Sequence, residues 1–127
     1  MTGAPSRIAD IQKAVDEALR SDWWRGEGRD GACTDVIALA KVEPGHPGRW
    51  VGVELYVELH RDGKIVQHRE ADNYDPSRSP ESIADAVRAR ALDVLQADML
   101  YPDLPIFEAV GRRRADLIFG WLVGEVE

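Results

Sequence analysis

The chain has 127 residues, of which 44% are hydrophobic and 31% are charged, with a net charge of −7 and one cysteine. This length fits one domain with a sizeable core. The acidic balance disfavours binding to nucleic-acid backbones and anionic membranes, and a single cysteine excludes an internal disulfide or a zinc cage built from cysteines. No signal peptide or membrane-spanning run is recognised. We therefore expect a single cytoplasmic domain over residues 1–127, with residues 1–5 as a flexible tail.

The first predicted element is a helix over residues 7–22. Its apolar residues recur at intervals of three and four, and the hydroxyl of Ser6 is placed to cap its first turn. The apolar stripe consists of Ile8, Ile11, Val15, Leu19 and Trp23.

Three strands are predicted after a glycine-containing connection. Residues 34–43 are apolar on both faces, which indicates a strand that is covered on two sides or placed centrally. Residues 50–60 alternate strictly, so one face must point at a core, and residues 64–72 form a weaker third strand. The aliphatic face of the second strand comprises Val51, Val53, Leu55, Val57 and Leu59.

The hairpin at Arg61–Lys64 leaves two registers open for the third strand. A two-residue loop pairs Leu59 with Val66 and places His68 on the aliphatic face. A three-residue loop shifts the strand by one residue, which leaves His68 and Glu70 on the open face. We favour the three-residue loop because it avoids burying these two polar side chains.

Two helices complete the chain. Ser79 and Pro80 are typical of an N-cap and a first helical residue, so a helix is predicted from there to about Leu100, and a last helix is predicted over residues 104–123. The first of these helices has an apolar stripe of Ile83, Val87, Ala91, Val94 and Leu95. The predicted fold is α+β in the order α-β-β-β-α-α: a three-stranded antiparallel meander with helices packed on one face.

The polar face of the second strand is the main candidate for function. Carboxylates alternate there with aromatic side chains and a histidine, and exposed tryptophan is common in binding hot spots. We expect a small acidic interaction or regulatory module without catalysis of its own, and a partner protein that is basic. The expected contact residues are Trp24, Trp50, Glu54, Tyr56, Glu58, His60 and His68.

Two alternative functions remain. Histidines and carboxylates on one sheet face could hold a divalent metal or form a hydrolytic acid–base pair, although no cofactor, metal ligand or catalytic residue is assigned. The last helix is apolar on nearly all sides, which favours a structural homo-oligomer instead. Its expected homodimer contacts are Phe119, Leu122 and Val123.

Three further sequence motifs are weaker evidence of a function. The glycines at 26–31 match G-x-G-x-x-G, but a helix precedes them and a strand follows, the reverse of a dinucleotide site. Cys33 is expected to be a small buried hydrophobe. Arg112, Arg113 and Arg114 point in different directions on a helix and cannot form one flat basic patch.

The element order over residues 7–100 resembles that of a double-stranded-RNA-binding domain, with Pro44-Gly45-His46 before the second strand and Asp62-Gly63-Lys64 at the hairpin. That family grips phosphates with lysines at the start of its second helix. This chain has Ser79-Pro80-Glu81 and Asp85 there instead. Because only the order of elements is shared, RNA binding is not expected.

Overall fold

The alternation of apolar and polar residues over residues 51–61 gives this strand one aliphatic face and one polar face. The computed structural model describes residues 4–20, 35–45, 50–61 and 63–122. Within them the order is α1 (Ala4–Leu19), β1 (Asp35–Pro44), β2 (Val51–Arg61), β3 (Lys64–Tyr74), α2 (Pro80–Leu100) and α3 (Ile106–Leu122). The strands form one sheet in the order β1-β2-β3. The predicted α+β fold is confirmed.

The core lies between the sheet and the helices. The aliphatic side chains of β2 are buried, and the predicted stripe of α2 is buried with them. Helix α1 packs on β1 and on α2, while α2 also contacts β2, and α3 contacts α2 and β3. All three helices therefore cover one face of the sheet and leave the other open.

The first helix differs from the prediction at both ends. It begins at Ala4 and ends at Leu19, so Ser6 lies inside the helix and is not its N-cap. Pro5 is compatible with a first turn because its missing N–H would have no helical partner there. Trp23 and Cys33 lie outside the described residues.

Strand β1 is an edge strand, so the expectation of a central or doubly covered position is wrong. Ala38 and Val42 face the core, whereas Ile37 and Leu39 are exposed on the open face. The two-sided apolar pattern of β1 therefore reflects an apolar open face and not a second covering layer.

The favoured register of β3 is also wrong. Leu59 lies opposite Val66 and Arg61 opposite Lys64, so the hairpin has the two-residue loop. Gly63 has a φ of 74°, which glycine adopts without a steric penalty. His68 is consequently buried on the helix-covered face, with 6% of its surface exposed.

The start of α2 is as predicted. Ser79 has extended backbone angles, and its hydroxyl oxygen accepts a 3.1 Å hydrogen bond from the amide of Ser82. Pro80 occupies the first turn. No helix among the described residues has the length and apolar character to cross a membrane.

Candidate functional site on the open face of the sheet

The open face of the sheet is formed by every second residue of the three strands. Its central row places Leu39, Tyr56 and Arg69 side by side, one from each strand. We use the name "open face" for Ile37, Leu39, Lys41 and Glu43 of β1, Glu54, Tyr56, Glu58 and His60 of β2, and Ile65, Gln67, Arg69, Ala71 and Asn73 of β3.

A hydrogen-bonded network occupies the centre of the open face. The Tyr56 hydroxyl donates to one carboxylate oxygen of Glu58, and His60 Nε2 contacts the other. From the neighbouring strand, the Gln67 amide donates to Glu58 at 3.4 Å. Polar side chains of β2 and β3 therefore contact Glu58, and together they hold its carboxylate in one position.

These contacts favour the ionised form of Glu58 and the neutral form of Tyr56. The hydrogen bond from Tyr56, followed by that from His60, lowers the pKa of Glu58 below its ordinary value. The same bond to Glu58 raises the pKa of the Tyr56 hydroxyl. A carboxylate that serves as a general base near neutral pH needs a raised pKa. The pKa of Glu58 is shifted the opposite way, so its carboxylate is ionised at neutral pH and the Tyr56 phenol is neutral.

Apolar side chains border this network. Leu39 and Ile65 each have 60% of their surface exposed. The Arg69 guanidinium lies over the Tyr56 ring, 4.8 Å from its centre, in a cation–π contact. A shallow depression of about 500 Å³ lies beside this pair, between Leu39, Glu54 and Ala71. The open face thus combines apolar surface with a fixed carboxylate.

The predicted contact residues are only partly brought together. Glu54, Tyr56, Glu58 and His60 project from one face of β2. Trp50 is exposed just before this strand. Trp24 lies outside the described residues.

His68 does not join the open face, contrary to the favoured register. It projects from the helix-covered face, whereas His60 projects from the open one, so the two histidines do not converge. Within residues 4–20, 35–45, 50–61 and 63–122, no group of three or more histidine, cysteine or acidic side chains could hold a metal ion.

A second polar cluster lies where β3 meets α2 and α3. His68 Nε2 contacts Glu70 Oε1 at 2.9 Å, Arg90 Nε lies 2.7 Å from Glu70 Oε2, and Arg114 Nη1 lies 3.0 Å from Oε1. Arg90 also pairs with Asp72 at 2.6 Å. Burial opposes ionisation of Glu70 and is the largest influence on its pKa. The bonds from His68, Arg114 and Arg90 together outweigh it and bring the pKa to about 2.

Sequence reasoning missed this cluster. Its signal was the alternation of His68, Glu70 and Asp72, which places three polar residues on one face of β3. Two arginines from distant helices compensate their burial. The cluster joins β3 to both helices and faces away from the open face, so we interpret it as structural.

The arginine run diverges, as the helical spacing predicts. Arg112 lies 5.8 Å from the centre of the Tyr101 ring, Arg113 donates to Gln96 at 2.8 Å, and Arg114 reaches the buried Glu70. The run does not form a single basic patch.

Sequence reasoning also missed the apolar border of the open face. Leu39, Ile65 and Arg69 belong to strands whose register or position was predicted wrongly, so their common face was not apparent. Leu39 could have been assigned to an apolar face from the sequence because it lies two residues after Ile37, and residues two apart in a strand share one face.

Comparison of the chain with protein-family models, with curated proteins and with solved structures found no match. Function must therefore be argued from the chemistry of the site.

Proposed function

We propose that the protein is a small acidic interaction module that binds a partner protein through the open face and performs no catalysis of its own. The observation that carries the proposal is the exposure of Leu39 and Ile65 beside the network of Tyr56, Glu58 and His60. Large apolar side chains that are exposed beside polar groups are a feature of surfaces that bind other proteins.

The chemistry of the face indicates the kind of partner. Leu39 and the Tyr56 ring offer contact surface for an apolar side chain. Glu54 and the ionised Glu58 offer positions for a lysine or arginine of the partner, and the net charge of −7 favours the approach of a basic surface. We therefore expect a basic partner segment that carries an apolar anchor.

The side chains at the centre of the open face are already held in place by their neighbours, which supports a role in binding a partner over that of an ordinary solvent-exposed surface. Glu58 is held by Tyr56, His60 and Gln67, and Tyr56 is stacked under Arg69. Side chains that are already ordered lose little conformational entropy when a partner binds.

Site-specific photo-crosslinking in cells tests this proposal. A benzophenone amino acid at Leu39 is expected to trap a defined partner, whereas the same group at Asp85, exposed on α2, should not. The crosslink at position 39 should disappear when Tyr56→Ala and Glu58→Ala are combined. If positions 39 and 85 trap the same set of proteins, the open face is not the interface.

A further inference from the structure

Helix α3 carries a second exposed apolar surface. This helix lies on the helix-covered side of the sheet, opposite the open face. Phe107 and Ile118 have 78% and 61% of their surfaces exposed. At about 100° per residue, these two side chains fall with Gly111 and Ala115 into one sector about 80° wide. We use the name "α3 stripe" for Phe107, Gly111, Ala115 and Ile118. The buried Ala109 and Val110 lie outside this sector, so the α3 stripe is not the side that packs on the core.

Among the residues that the structure describes, none explains the presence of a glycine at position 111. A Cβ atom there would meet no atom of these residues within 4 Å. Glycine in a helix interior is destabilising relative to alanine, and the common reason to keep it is the close approach of another backbone. Since nothing in the described chain approaches Gly111, the space above it suits a helix of another molecule.

Charges beside the α3 stripe indicate which molecule fits. Glu108 and Arg112 are both exposed and lie one helical turn apart on the same flank. When a second copy of α3 packs antiparallel, with the two-fold axis near Gly111, each Glu108 faces Arg112 of the other copy. In a parallel two-fold pair this flank of each copy would lie on opposite edges of the interface, so Glu108 and Arg112 would not meet.

The apolar side chains agree with the same arrangement. An antiparallel crossing centred on Gly111 brings Phe107 of one copy over the small Ala115 of the other, twice by symmetry. Large side chains packed on small ones let two helices approach closely, and a two-fold interface must be self-complementary in this way.

We propose that the α3 stripe is the contact surface for a second copy of this chain, in an antiparallel two-fold dimer centred near Gly111. The surface differs from the Phe119, Leu122 and Val123 contacts expected from sequence. Phe119 is exposed beside the stripe, whereas Val123 and the side chain of Leu122 lie outside the described residues. The dimer leaves the open face free for its partner.

Sedimentation equilibrium over a concentration series tests the dimer. The wild-type chain is expected to dimerise, and Phe107→Glu should raise the dissociation constant at least about tenfold. Leu39→Glu places the same charge on an exposed apolar position of the open face and should leave dimerisation unchanged. A wild-type chain that stays monomeric at about 1 mM would overturn the proposal.

Further variants distinguish the proposed geometry from non-specific association. Gly111→Leu has room within the monomer, so at concentrations where the wild type is monomeric its circular dichroism and thermal midpoint should match or exceed those of the wild type, while dimerisation at higher concentrations is lost. Glu108→Arg and Arg112→Glu should each weaken the dimer, and the double exchange should restore it. A dimer that tolerates Gly111→Leu, or charge variants that fail to compensate each other, would exclude the antiparallel contact.

Discussion

The side-chain carbonyl of Gln12 accepts a 2.7 Å hydrogen bond from the backbone amide of Val42. The amide nitrogen of the same side chain donates to the carbonyl of Ala40 at 2.9 Å. One glutamine of α1 thus supplies, on the outer edge of β1, the pair of bonds that a fourth strand would make. Exposed strand edges invite pairing with other chains, so this contact protects the edge as well as fixing α1.

Replacing Gln12 should therefore destabilise the fold. Gln12→Leu leaves the backbone groups of Ala40 and Val42 without these partners at a half-buried edge, and we expect a loss of about 1–2 kcal/mol in the free energy of unfolding. Urea denaturation measures it. Lys13→Ala, at the exposed neighbouring position, should change the same free energy by less than about 0.5 kcal/mol. Equal midpoints for the two variants would contradict the role given to Gln12.

Glu70 should make stability depend on pH. Its folded pKa of about 2 lies below the ordinary value of 4.5, so the ionised carboxylate stabilises the fold above pH 4.5. This contribution is lost as the pH falls from 4.5 towards 2. The shift corresponds to an upper value of roughly 3 kcal/mol at neutral pH.

Glu70→Gln isolates this contribution. Its destabilisation relative to the wild type should be largest near pH 7 and should shrink as the pH falls below 4.5, when measured by denaturation at each pH. Glu17→Gln, at an exposed position of α1, provides the matched control. A difference between Glu70→Gln and wild type that stays constant from pH 7 to pH 3 would contradict the assignment.

Tyr56 should control the ionisation of Glu58. Because the Tyr56 hydrogen bond is the leading cause of the lowered Glu58 pKa, Tyr56→Phe should raise that pKa towards its ordinary value. Carboxyl carbon chemical shifts followed during an NMR titration measure it. Asp75, whose lowered pKa depends on Ser77, should titrate as in the wild type. An unchanged Glu58 midpoint would show that the phenol does not hold the carboxylate.

Ser79 should contribute measurably to the stability of α2. Ser79→Ala removes the oxygen that accepts the Ser82 amide, and loss of an N-cap typically costs about 1 kcal/mol. Ser79→Asp keeps an acceptor at the cap and should retain most of the stability. Thermal denaturation distinguishes the two, and identical midpoints for both variants would argue against the cap.

Local sequence patterns were sufficient to predict several features of the fold and of the candidate site. The alternation of β2 assigned its core face, since side chains of a strand point to opposite sides at every residue. The spacing of Ile83, Val87 and Ala91 identified the buried stripe of α2 for the corresponding helical reason. Of the candidate site, Glu54, Tyr56, Glu58 and His60 could be grouped from sequence because they share one strand.

The remaining features depended on contacts between distant parts of the chain. Hairpin residues 61–64 fit either loop length, so the register of β3 was open locally. The two-residue loop was rejected because it buries His68 and Glu70, yet Arg90 and Arg114 from two later helices compensate that burial.

The sequence by itself determined the types and order of the elements and the buried faces of β2 and α2, because these follow from periodicity within one segment. The tertiary structure alone decided that β1 lies at the edge, that His60 and His68 point to opposite faces, and that Leu39 and Ile65 border the same site as Glu58. Strand order and register depend on the balance of burial and charge across segments far apart in the chain, and no local pattern contains that balance.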